Sequence, residues 1–139
     1  MVRFRMFRIS TGQFAILSTD APQGDMDINT NMELKHTNDG SAIQVHATFS
    51  FNEKEKQVMV LDTTCEFAIH PDDLRSITKE RQVVIPKELI DYFIAQTVGT
   101  ARGILHCKTE GTPFNGIIIP PMNVTGMFKD DMVIDLPKQ

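Results

Sequence analysis

Residues 86–124, PKELIDYFIAQTVGTARGILHCKTEGTPFNGIIIPPMNV, decide the fold. The stretch reads as one long helix, a glycine stop and then an irregular apolar segment. Pro86 suits a first helical turn, where its missing N–H would lack a partner anyway. Ile90, Ile94, Val98, Ala101 and Leu105 recur at helical spacing and predict a core-facing stripe. A second row, Ala95, Gly99 and Gly103, holds small residues at four-residue spacing. Glycine inside a helix costs roughly 0.5–1 kcal/mol relative to alanine. Two in register therefore predict close approach of another backbone, either this chain's own sheet or a helix of a second subunit. Arg102, His106 and Lys108 on the same helix argue against a membrane Gly-x-x-x-Gly contact.

Gly111 is placed to stop the helix, because glycine takes the left-handed conformation without strain. Beyond it, Phe114, Ile117, Ile118, Ile119 and Met122 sit among Pro113, Asn115, Gly116, Pro120 and Pro121. Prolines at both ends oppose a central strand or a helix. A very apolar segment is thus expected as ordered loop. Such a loop covers core, meets another subunit or binds something.

The preceding residues carry strand periodicity. Val2, Phe4 and Met6 alternate with Arg3 and Arg5, and then Phe7 and Ile9 take the other parity, which predicts a bulge near Met6–Phe7. From Met26 to His36, one face collects Met26, Ile28, Thr30, Met32 and Leu34. Asn38-Asp39-Gly40 is a hairpin signal. The returning strand turns Ile43, Val45, Ala47, Phe49 and Phe51 inward. After a charged turn at residues 53–56, the next strand does the same with Met59, Leu61, Thr63, Cys65, Phe67 and Ile69. Strict alternation means one buried and one wet face. These strands are expected as an antiparallel meander whose apolar face the long helix covers. Residues 70–81 read as a polar connector with a short helical turn.

The 139 residues fit a single domain spanning 1–139, and 41% hydrophobic with 23% charged content is ordinary for a globular protein. A net charge of −4 gives no electrostatic case for nucleic acid. No apolar run approaches the roughly 20 residues of a membrane span. The first residues lack a signal-peptide core, and Cys65 and Cys107 lack paired metal or redox spacing, so a reducing, cytoplasmic setting is expected.

Catalytic constellations do not emerge: there is no nucleophile elbow, zincin motif or phosphate loop. No cofactor and no metal are expected. His36 and His46 fall on adjacent strands, but two histidines do not make a metal site. Asp27, Glu33, Asp62 and Glu66 share the wet sheet face, which is either simply solvated or an acidic docking surface for a basic partner.

The chain resembles the SecB protein-export chaperones. Phe4, Arg8, Ile9, Thr11 and Ala21-Pro22 are similar to the family's first strand and following loop. Ala101-Arg102 with Ile104 resembles its Ala-Arg-x-x-aliphatic signature. Gly111-Thr112, Pro113-Phe114, the isoleucine run and Pro121-Met122-Asn123-Val124 resemble its Gly-Thr-Phe-Pro…Pro-Val-Asn-Phe crossover loop, with Phe and Pro exchanged. The resemblance implies an α+β fold: a four-stranded antiparallel sheet, one face covered by a long helix, and an apolar crossover loop. It implies a non-enzymatic chaperone for unfolded polypeptides or preproteins, as in protein export. The client groove would be lined by Phe114, Ile117, Ile118, Ile119, Met122, Val124 and Phe128. It further implies a homo-oligomer, a dimer or a tetramer, with Ala95, Gly99, Arg102 and Gly103 at the interface, and a SecA-like motor or an antitoxin as partner. The family's second amphipathic helix is expected to be short or absent here, since Gly126 and residues 132–137, MVIDLP, oppose it, and the family's acidic tail is not found. A specialised SecB-like binder, dedicated to one partner such as an antitoxin, is the other expectation.

Overall fold

A computed structural model describes residues 1–137. The order of elements is β1 (Phe4–Ile16), β2 (Asp27–His36), β3 (Ala42–Glu53), β4 (Lys56–Ile69), α1 (Pro71–Ser76), β5 (Thr78–Lys79), β6 (Gln82–Ile85), α2 (Lys87–Lys108) and β7 (Met132–Asp135). The class is α+β. β1 to β4 form an antiparallel sheet in the order β1-β4-β3-β2, so β2, β3 and β4 make the expected meander and β1 closes onto β4.

Period-2 alternation explains the sheet's two faces. Ile43, Val45, Ala47, Phe49 and Phe51 of β3 are fully buried, and Met59, Leu61, Thr63, Cys65, Phe67 and Ile69 of β4 are buried beside them. Helix α2 lies over these central strands. Its predicted stripe, Ile90, Ile94, Val98, Ala101 and Leu105, is buried, together with Phe93 and Thr97. Phe93 stacks on Phe67 with centroids 4.3 Å apart and meets Phe4 edge-on at 4.9 Å, which anchors the first half of the helix to β1 and β4. The outer strands are less covered: the inner residues Ile28, Met32 and Leu34 of β2 are half-buried, and Ile9 of β1 is exposed.

The expected bulge is present. The β1–β4 register shifts between Met6 and Arg8 and again between Thr11 and Phe14. At the start of β1, Arg3 donates from its backbone N–H and from Nε to Asp73 Oδ2 at 2.7 and 2.9 Å. This bond draws Asp73 down from an ordinary 3.8 to about 2 and ties the strand to α1.

A second, three-stranded antiparallel sheet, β5-β6-β7, was not foreseen. Residues 132–135, expected to oppose a second helix, are strand β7. Val83, Ile85 and Ile134 carry this sheet's buried side. Gly40, in the β2–β3 turn at φ +73°, packs against it. A Cβ there would lie 3.1 Å from Val83 Cγ1 and 3.3 Å from Ile134 Cδ1.

Candidate functional site

Loop 109–131 runs back along α2 from the helix's C-terminal end to its N-terminal end. It begins by satisfying the carbonyl groups that a helix terminus leaves without partners. Thr109 caps the helix, and its backbone N–H donates to Leu105 O and Cys107 O. Thr112 Oγ1 donates to Thr109 O at 2.7 Å, and Asn115 Nδ2 donates to His106 O at 3.0 Å. Gly111, at φ +77°, turns the chain two residues past the cap. At the far end, the backbone N–H of Lys87 donates to Asp131 Oδ1 at 2.8 Å. Pro86 at the N-cap offers no side-chain bond, so Asp131 supplies both the acceptor and a negative charge where the helix dipole favours one.

Midway, Arg102 reaches off the helix to the loop. Its Nε donates to Ile119 O at 2.5 Å and its Nη2 to Pro120 O at 3.0 Å. Arg102, expected at an oligomer interface, is therefore engaged within its own chain.

The loop's apolar residues divide by depth. Phe114, Ile119 and Val124 are inserted in the core at 3%, 0% and 8% exposure. Expected as lining for a client groove, these three are core cover in this conformation, because the open edge of the sandwich between α2 and the sheet takes them up. Ile117, Met122 and Phe128 are half-buried against the core, and Ile118 stands 60% exposed.

The small-residue row faces away from the sheet. Ala95, Gly99 and Gly103 are exposed. A Cβ on Gly103 would meet nothing within 4 Å, and one on Gly99 only Arg102 Nη1 at 4.0 Å. Contact with the chain's own sheet is thus excluded as the reason for these glycines.

The wet sheet face is mixed in charge. Asp27 and Glu33 are exposed, while Asp62 and Glu66 are half-buried. His46 stands between Glu33 and Asp62, with its ring nitrogens 3.6 and 3.4 Å from their carboxylates. Thr48 Oγ1 donates to Asp62 at 2.7 Å, and Arg8 Nε lies 3.4 Å from Glu66. Asp27 lies six positions from Glu33 along β2, roughly 20 Å at strand spacing. The four carboxylates do not form one cluster. His36 is in register with Ile43 and not with His46, which faces Glu33. Among the described residues, no group of three or more His, Cys, Asp or Glu side chains could hold a metal ion. Cys65 is buried, and burial pushes its thiol up. Among the described residues, no helix is long and apolar enough to cross a membrane.

Of the residues that fix the loop, Arg102 and Thr112 stand out in the sequence as motif residues, but not in this role. Asn115 and Asp131 are ordinary loop residues there, and the capping roles of these two and of Thr112 depend on where the chain folds back.

No family model matches the chain, and no curated protein does. Among solved structures, the chain is similar to the Mycobacterium tuberculosis SecB-like chaperone Rv1957 in complex with a ChAD peptide from the Rv1956 HigA1 antitoxin. That similarity has a TM-score of 0.47 and 13% sequence identity, over 88% of this chain and 90% of that one.

Proposed function

We propose that this protein is a non-enzymatic chaperone that binds unfolded or partly folded polypeptide on the apolar face of loop 109–131. The observation that carries this is Ile118. An isoleucine 60% exposed, on a loop tied to its helix at both ends and in the middle, is a displayed apolar group. Ile117, Met122 and Phe128 add half-buried apolar surface from the same loop. Apolar contact is non-directional and therefore tolerant of client sequence. The SecB-like motifs support the same reading. With it come a homo-oligomeric assembly through the exposed Ala95, Gly99 and Gly103 row and a cytoplasmic location.

A second reading is a dedicated binder of one partner, such as an antitoxin. Strand β7 favours it, because residues 132–135 are committed to the small sheet and do not extend a second helix along the client surface. Docking of a basic partner, such as a SecA-like motor, on the wet sheet face is a weaker element of the proposal, since Arg8 offsets part of its acidity.

The test is Ile118→Ser. The side chain is exposed, so the fold should persist. Burying it against a client contributes roughly 1.5–3 kcal/mol, which predicts an affinity loss of about tenfold or more. Suppression of aggregation of several unrelated, chemically unfolded proteins should fall accordingly, and binding of an apolar peptide should show a negative heat-capacity change. A variant that folds normally and protects every client as well as wild type overturns the proposal. Protection of a single protein only selects the dedicated binder. Phe114→Ser would not serve, because Phe114 belongs to the core.

A further inference from the structure

The loop's middle has no ladder of its own. Pro120 and Pro121 have no backbone N–H to give. Among the described residues, no backbone amide from Ile118 to Asn123 takes part in a backbone hydrogen bond. The nearest such bonds are Ile117 N–H to Phe114 O and Met127 N–H to Val124 O. Across this gap, Arg102 is the polar tie, bonded to the successive carbonyls of Ile119 and Pro120. Those carbonyls directly follow the point where the side chains alternate, with Ile118 exposed and Ile119 fully buried.

We propose that Arg102 is the positioning residue of the apolar loop, its guanidinium fork fixing the backbone so that Ile119 stays inserted and Ile118 stays displayed. This deepens the chaperone reading and rests on it for the binding consequence. The planar guanidinium suits the task, since it can address two neighbouring acceptors at once, whereas an ammonium is a point donor. Gly99 belongs to the same arrangement. One turn back on the helix, it adds no side chain beside the Arg102 guanidinium, whose Nη1 would lie 4.0 Å from a Cβ there. The geometry also gives the binding surface a preset shape: a client meets an ordered loop and need not order it.

The experiment compares wild type, Arg102→Lys and Arg102→Gln at matched oligomer size. Hydrogen exchange is measured at the amides of Ile117 and Met127, whose hydrogen bonds flank the gap, alongside affinity for an apolar peptide. In Arg102→Gln these amides should exchange at least tenfold faster, while amides of β3 and β4 are unchanged. Arg102→Lys, which can serve one carbonyl at a time, should fall between the two. Peptide affinity should drop by about tenfold in Arg102→Gln and recover in part in Arg102→Lys. Unchanged exchange at both amides overturns the proposal, as does faster exchange with wild-type peptide affinity. If Arg102→Gln fails to fold, Arg102→Lys decides alone: faster exchange at those amides supports the tie, and wild-type exchange overturns it. If exchange responds as expected but wild type binds no peptide, the tie stands and the chaperone reading falls.

Discussion

Gly40 shows how much one position can carry. The turn it occupies requires φ +73°, and its missing Cβ is what lets the β2–β3 hairpin seat against Val83 and Ile134. An L-residue in the left-handed region costs about 1–2 kcal/mol. A methyl group 3.1 Å from Val83 adds to that because the neighbour must give way. Gly40→Ala should therefore destabilise the protein by about 1–3 kcal/mol, seen as a lower urea midpoint at unchanged slope. A midpoint equal to wild type would mean that the two sheets are not locked through this turn. Arg102 teaches the complementary lesson. Its position suggested an interface, but its guanidinium reaches the carbonyl groups of its own loop.

At the scale of elements, the hairpins differ in how well their turns suit them. The β3–β4 connection is a two-residue turn with Lys54 at φ +50° and Glu55 at φ +66°. The β5–β6 turn repeats this with Glu80 at +51° and Arg81 at +66°. Positive φ at both central residues is the geometry that favours Asn-Gly. Lys-Glu and Glu-Arg adopt it because the paired strands on either side leave a two-residue gap to bridge. Replacing Lys54 and Glu55 by Asn and Gly should stabilise the protein by roughly 0.5–2 kcal/mol, raising the thermal midpoint without changing client binding. An unchanged or lower midpoint would show that the flanking ladder absorbs the turn's strain. Helix α2 needs its ends held from outside: Asp131 serves one terminus, and Thr112 with Asn115 the other.

At the scale of the molecule, one side of α2 is consumed by the sheet and the opposite side carries a strip of small residues facing solvent. On the proposed reading, a second copy of the chain would cover that strip. Gly103 is the clean probe, because among the described residues nothing beyond its own stretch of helix lies within 4 Å of a Cβ there, whereas a larger residue at Gly99 would also meet Arg102. Wild type should scatter light as a dimer or tetramer at micromolar concentration. Gly103→Leu should shift it toward smaller species, by overpacking of about 1–3 kcal/mol per contact. A wild-type mass of one chain would remove the oligomer from the proposal.

Much of this was legible in the chain itself. The alternation in residues 26–36, 43–51 and 59–69 determined which face of each strand is buried, since a strand's side chains point alternately to the two sides of the sheet. The 3.6-residue recurrence of Ile90, Ile94, Val98, Ala101 and Leu105 determined the helix and its inner face in the same way. Both signals are local and periodic. The three-stranded sheet, the capping of α2 by Asp131 and the division of the loop's isoleucines are not. QVVI at residues 82–85 and MVID at 132–135 are too short to announce each other, and they pair only because the loop returns along the whole of α2. In the run Ile117-Ile118-Ile119, three identical side chains carry no pattern to say which turns inward. The space between α2 and the sheet takes Ile119, and the carbonyls that Arg102 holds fix the backbone so that Ile118 faces out. The sequence supplied an apolar loop, and tertiary packing decided which part of it was left exposed.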